Sequence, residues 1–282
     1  MKRWLILLVL FFPLWAFAED AFPLPAQDDV TGKWGYRDAE SHWVIDPVFD
    51  EAAPFHMGFA CVSKDASRHP YHHDGIIDRN GCYVVPPDYY IYNDNGDDDA
   101  LSDLYIVSTV GSDGLSGFFD VKSGIFSGLK WHEVLGRMAC DHLVPVLDEN
   151  GHAGYASRET GEIAIPCMYA GVYPGVFSEG VAVALWADIT PEQTEDAFLI
   201  NETGAIIPLP PGITAVYGAS AQCGRILIRD KETEQYGYAD LEGHVVIEPV
   251  FSYADDFENG IARAEKDGFF VLIDLSGNLI MK

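Results

Sequence analysis

Lys33-Trp34-Gly35-Tyr36-Arg37-Asp38 and Gln235-Tyr236-Gly237-Tyr238-Ala239-Asp240 are one phrase written twice. Each is followed by a turn and then by a second shared phrase, Trp43-Val44-Ile45-Asp46-Pro47-Val48-Phe49 in one copy and Val245-Val246-Ile247-Glu248-Pro249-Val250-Phe251 in the other. Six residues beyond each Phe stand Phe55-His56-Met57-Gly58-Phe59-Ala60 and Phe257-Glu258-Asn259-Gly260-Ile261-Ala262. A third copy runs from Gly154-Tyr155 through Ala164-Ile165-Pro166 and Tyr169 to Phe177-Ser178-Glu179-Gly180-Val181-Ala182-Val183. Self-similarity at a fixed period is the mark of a repeat architecture.

Four eroded copies fill the rest, carrying Gly75-Ile76-Ile77-Asp78, Gly117-Phe118-Phe119-Asp120, Phe198-Leu199-Ile200-Asn201 and Val271-Leu272-Ile273-Asp274. The turn after each phrase is tracked by Ser41, Gly81, Gly124, Gly161, Gly204, Gly243 and Gly277, at steps of 40, 43, 37, 43, 39 and 34 residues. Each unit offers three short apolar runs rich in Val, Ile, Tyr and Phe, too short for helices and separated by Asp- and Gly-bearing turns. The first run follows F-x-x-G (Phe59–Val62, Val181–Ala184, Ile261–Ala264), the second is G-Φ-x-D and the third V-I-x-P. Pro47, Pro87, Pro166 and Pro249 are expected to end the third strand, where a missing N–H does least damage.

The consensus, G-Φ-x-D-x-x-G-x-Φ-V-I-x-P-x-aromatic followed by F-x-x-G-Φ-A-x-V, resembles the WG-repeat, or KWG-repeat, family. Lys33-Trp34-Gly35 is its one complete K-W-G. The resemblance implies a β-repeat architecture and supplies no active-site residues. A three-stranded unit cannot bury both faces alone, so the expected fold is all-β, about seven units stacked as a propeller-like toroid. An open β-superhelix is the alternative. The first copy lacks a first strand while the last has one in Ile261–Ala264, an offset that would let the two termini complete a ring.

The N-terminus sets the expected compartment. Met1-Lys2-Arg3 precedes an apolar run, Trp4 to Trp15, and Ala16-Phe17-Ala18 fits a signal-peptidase site. The run is short of the roughly 20 residues a membrane span needs. The domain plan is therefore a signal peptide over 1–18, a linker over 19–32 and one repeat domain over 33–282, periplasmic or secreted. With 17 Lys and Arg against 44 Asp and Glu, a net charge of −27 excludes nucleic acid, whose phosphates are bound by displacing counterions with basic residues. No membrane insertion is expected after cleavage.

Candidate sites are few. Tyr89, Tyr90 and Tyr92 lead into Asp94, Asp97, Asp98 and Asp99, an insertion where F-x-x-G is expected. These seven are the candidate binding residues. No cofactor is expected; calcium is the alternative, since hard cations take clustered carboxylates, but Ile91 and Ser102 stand where a calcium loop needs its first and last ligands. His69, His72, His73 and Asp74 form a candidate transition-metal loop without the spacing of known sites. Cys140 and His142 would share one side of a strand, a poor geometry for a nucleophile and its base. The five cysteines have no zinc spacing, and the strand order keeps Cys61 from Cys82 and Cys140 from Cys167. The expected role is a non-catalytic binding or scaffold module of the cell envelope, its partner a protein or an envelope polymer. A hydrolase-like enzyme on a propeller, or a metal-binding structural protein using the acidic loop 88–103, is the alternative. Intact-mass measurement of the exported protein should give a chain beginning at Glu19; an uncleaved Met1 on a membrane-bound species would overturn the placement.

Overall fold

The computed structural model describes residues 22–65, 74–93, 102–109, 114–171, 175–187 and 197–281. The repeated phrases fold into seven small antiparallel sheets, each built from strands consecutive in sequence. The first holds Leu24–Gln27, Trp34–Arg37 and Trp43–Phe49; the second Glu51–Ala52, Phe59–Ser63, Gly75–Asp78 and Tyr83–Val85. The third holds Tyr90–Tyr92, Leu104–Ser108, Ser116–Asp120 and Ile125–Phe126; the fourth Glu133–Val134, Leu143–Leu147, His152–Ser157 and Ile163–Ala170. The fifth holds Val181–Ala184, Phe198–Asn201 and Ile206–Ile207; the sixth Ile213–Ala215, Ile226–Asp230, Tyr236–Ala239 and Val245–Phe251. Tyr253–Ala254, Ile261–Lys266, Phe269–Asp274 and Leu279–Met281 make the seventh. Among the described residues the helical content is one 3-10 turn, Gly136–Met138.

The fold is all-β and propeller-like, and the three expected strands of each unit do lie in one meander. All seven tracked turn positions have positive φ, from 67° at Ser41 to 87° at Gly243. The F-x-x-G glycines do so too: Gly180 and Gly260 both have φ of 81°, each preceded by a residue that is itself left-handed. Two residues of positive φ are what a tight type I′ hairpin requires.

The glycine of the Trp-Gly phrase answers a different demand. A Cβ on Gly35 would lie 2.5 Å from the Ile45 carbonyl oxygen and 2.7 Å from the Pro47 nitrogen. Gly154 and Gly237 meet the same obstruction from Ile165 and Ile247. The cause is a bulge: pairing shifts register between Trp34 and Tyr36 and again between Tyr236 and Tyr238. This corrects the reading of the prolines. Pro47, Pro166 and Pro249 sit inside seven- or eight-residue strands, at the bulge, where the ladder asks for no N–H; Pro87 does follow its strand.

Six core clusters each join two successive sheets. Large side chains of one sheet press on small ones of the next: Tyr238, Ile247 and Phe251 meet Ala254, Ala262, Ala264 and Val271. Three tyrosines then cross the interface. The hydroxyls of Tyr36, Tyr155 and Tyr238 donate to the carbonyls of Ala53, Gly175 and Asp255 at 2.8, 2.7 and 2.7 Å. Their rings contact Phe55, Phe177 and Phe257 at 4.7, 5.0 and 4.7 Å. The Phe of F-x-x-G is thus the receptor for the preceding sheet's Tyr.

The two ends differ from the middle. The residue after that tyrosine position is Ile77, Phe119, Ala156, Ile200, Ala239 or Ile273 in the second to seventh sheets, every one fully buried against the preceding sheet. In the first sheet it is Arg37, laid over the Trp43 ring at 4.0 Å. At the far end Ile261 and Phe270 are 41% and 58% exposed, and the Arg263 guanidinium covers the rings of Tyr253 and Phe270. Repeat arrays end in polar outer faces; Arg37 gives the first sheet such an end, whereas the seventh leaves Phe269, Phe270, Leu279 and Ile280 50–61% exposed. The expected strand offset is not used: Leu24–Gln27, within the supposed linker, gives the first sheet its own first strand. Among the described residues, five of the seven sheets also have a short strand ahead of the F-x-x-G position, such as Glu51–Ala52, that the consensus did not reveal.

Gly237→Ala should destabilise by about 2 kcal/mol, the cost of forcing a methyl into packed atoms. Tyr238→Phe should cost about 1 kcal/mol for its lost hydrogen bond. Thermal unfolding checks both; an unchanged midpoint for Gly237→Ala would remove the bulge explanation.

Candidate functional site

Alternating strand direction sorts the connections. The F-x-x-G turns and the D-x-x-G hairpins emerge on one rim, while the strand ends anchoring connections 66–73 and 188–196 lie on the other. The insertion after Tyr92 springs from the F-x-x-G rim.

On that rim, charged side chains converge across three sheets. Arg158, at the end of its strand in the fourth sheet, donates from Nε to Asp120 Oδ2 of the third at 2.6 Å. Its terminal nitrogens reach the carbonyls of Cys140 and Asp103, both at 3.3 Å. Asp120 is 2% exposed, so the pair is sealed from water. Asp103 also takes Lys122 Nζ at 2.8 Å and His56 Nε2 of the second sheet at 3.0 Å. Hydrogen bonding by Lys122, then by His56, holds the Asp103 carboxyl below the usual carboxylate range, and the same contact raises Lys122. Further round the rim, the Glu179 carboxylate accepts the N–H groups of Cys223 and Gly224 at 2.9 and 2.7 Å. Ser178 Oγ donates to the Ala221 carbonyl at 2.6 Å. These polar groups are spent tying one sheet to the next.

Tyr89, Tyr90 and Tyr92 are half-buried between sheets: Tyr89 lies 6.3 Å from the Phe126 ring, and Tyr92 packs beside the core of the third and fourth sheets. Asp94, Asp97, Asp98 and Asp99 lie outside the described residues, as do His69, His72 and His73. Asp74 is buried, and both its oxygens accept the Lys64 N–H at 3.0 Å, closing the base of its loop. Cys140 and His142 do not share a strand face. They belong to the turn before Leu143–Leu147, where Cys140 N–H donates to Leu143 and the Arg158 N–H to the His142 carbonyl. All five cysteines are free thiols; burial pushes Cys61 up to about 12.

Two features escaped the sequence reading. Asp240, Glu242 and His244 bring one ligand atom each to within 4.8 Å on an exposed hairpin. Asp240 Oδ1 accepts the N–H groups of Glu242 and His244 there, and its Oδ2 lies 3.1 Å from His244 Nδ1. The second is a row of exposed apolar residues on the outermost strands. Val44 and Val246 are equivalent, as are Val48, Met168 and Val250; the five are 38–53% exposed. Their spacing was visible in V-I-x-P, but not which face water would see.

A family model described as WG containing repeat matches residues 34–66 and 236–268. These two stretches, the first and sixth of the seven phrases, are what the chain shares with that repeat family. No curated protein matches it. Among solved structures it is similar to the computationally designed Ika8 protein, with TM-score 0.36 and 12% identity over 93% of this chain and 87% of that one. BamB from Moraxella catarrhalis gives TM-score 0.36 and 11% identity over 82% and 86%, and a nidogen/laminin complex 0.31 and 11% over 74% and 90%. Likeness at these scores carries no functional reading.

Arg158→Ala should destabilise by about 3–5 kcal/mol, since it strands the buried Asp120 carboxylate. The double variant Arg158→Met with Asp120→Leu should be less damaged, because no buried charge is left unpaired. Chemical denaturation of both variants separates the cases; a loss below about 1 kcal/mol in Arg158→Ala would contradict a sealed pair.

Proposed function

We propose that this protein is an exported, non-catalytic binding or scaffold module of the cell envelope, recognising a protein or an envelope polymer through its repeat surface and loops. One observation carries the reading. Outermost strands of the first, fourth and sixth sheets hold exposed apolar side chains at matching positions, Val48, Met168 and Val250. Recurring exposed apolar positions on a stacked array suit an extended partner. The engagement of His56, Asp103, Lys122, Asp120 and Arg158 with one another across sheets supports a structural use of the rim charges. The N-terminal motif through Ala18 supports export, and the strong acidity supports a partner other than nucleic acid.

Site-specific photo-crosslinking in the native cell provides the test. A photoreactive residue at Val48 or Val250 should give discrete adducts, and one at the inward-facing Ile45 or Ile247 should give none. The absence of adducts from every outward position would end the binding reading.

A further inference from the structure

The outermost strands of the first and sixth sheets share one exposed pattern, Val44-x-Asp46-x-Val48 and Val246-x-Glu248-x-Val250. Side chains two apart on a strand share a face, so each pattern is a short comb with one carboxylate between two valines. Consecutive teeth stand about 6.6–6.8 Å apart. Val44 and Val48 are 50% and 53% exposed, Val246 and Val250 38% and 39%. Neither the Asp46 nor the Glu248 carboxylate has a hydrogen bond or ion pair among the described residues. Nearby cations are engaged elsewhere: Lys33 pairs with Asp50, Arg37 covers Trp43, and Lys266 lies over Phe251.

From this we infer that the two combs dock an extended segment of the form apolar-x-basic-x-apolar, its Lys or Arg meeting Asp46 or Glu248 and its apolar teeth seated on the valines. The argument for this occupant is charge. The protein carries a net charge of −27, so a cationic segment is drawn in and a second copy of the chain is repelled. The strand edge itself resists extension, because Pro47 and Pro249 have no N–H and the bulge breaks the ladder. Recognition therefore rests on side chains rather than on an added β-strand. The fourth sheet has Ala164, Pro166 and Met168 at the matching places, without an acid, and does not recognise the basic residue.

The inference rests on the binding role proposed above and names its partner class. Fluorescence anisotropy tests it with a labelled peptide carrying three Val-Ser-Lys-Ser-Val units, and with a control whose lysines are replaced by glutamates. Saturable binding of the lysine peptide is expected. It should weaken at least fivefold in Asp46→Lys/Glu248→Lys and equally in Val48→Ser/Val250→Ser, while Val30→Ser, at an exposed valine outside the combs, binds like wild type. Equal binding of both peptides, or no binding of either, overturns the inference. So does a loss confined to the charge variant, which would mean general attraction to an acidic surface. Sedimentation showing a dimer that Val48→Ser/Val250→Ser abolishes would assign the combs to a second copy and likewise overturn it. Cellular crosslinks at Val48 and Val250 without peptide binding would leave the binding role standing and remove only the basic-segment partner.

Discussion

The interaction on which the array depends is the contact of one tyrosine with the next sheet. Tyr36, Tyr155 and Tyr238 each place a ring against the following Phe and a hydroxyl on the backbone carbonyl just ahead of it. Ring burial alone would allow sheets to slide, because the hydrophobic effect has no direction. The hydroxyl removes that freedom by naming one acceptor. The adjoining glycine makes the arrangement possible: by admitting the bulged strand against its Cα, it lets Ile45, Ile165 or Ile247 face the same core as the tyrosine.

Degenerate copies replace this contact with others of the same purpose. In the third sheet Phe118 takes the tyrosine position and stacks on Trp131 of the connection to the fourth, at 5.7 Å and nearly parallel. A phenyl ring has no hydroxyl, and it is at this same boundary that the Arg158–Asp120 pair appears. The buried charges supply direction where the tyrosine is missing. Buried pairs are poor stabilisers but good selectors of one geometry, so this substitution of one device for another is physically coherent.

Much of the fold was legible because the turns demand particular backbone conformations. Gly81, Gly124, Gly161, Gly204, Gly243 and Gly277 mark hairpins, and even Ser41 adopts the left-handed form its place in the register requires. The bulge was not legible, since a proline between strand formers reads equally well as a strand end. Short pairs such as Glu51–Ala52 and Tyr253–Ala254 carry too few residues for any periodicity to show. Arg37 was a missed signal: an arginine where six sheets bury an apolar or small side chain marks the end of the stack. The rim charges were beyond reach for another reason, because His56, Asp103, Lys122 and Arg158 come from three different phrases and meet only once the sheets are stacked.

Each sheet takes all its strands from one uninterrupted stretch of chain, and each core joins only neighbours. Among the described residues, no strand near one terminus pairs with a strand near the other. With no strand clasp among those residues, the array's cooperativity rests on side-chain contacts between neighbouring sheets. Fraying is cheapest at the seventh sheet, where one face already meets solvent, and it spreads inward one boundary at a time. A load applied along the chain would peel sheets off in turn, each release lengthening the molecule while the remainder stays stacked.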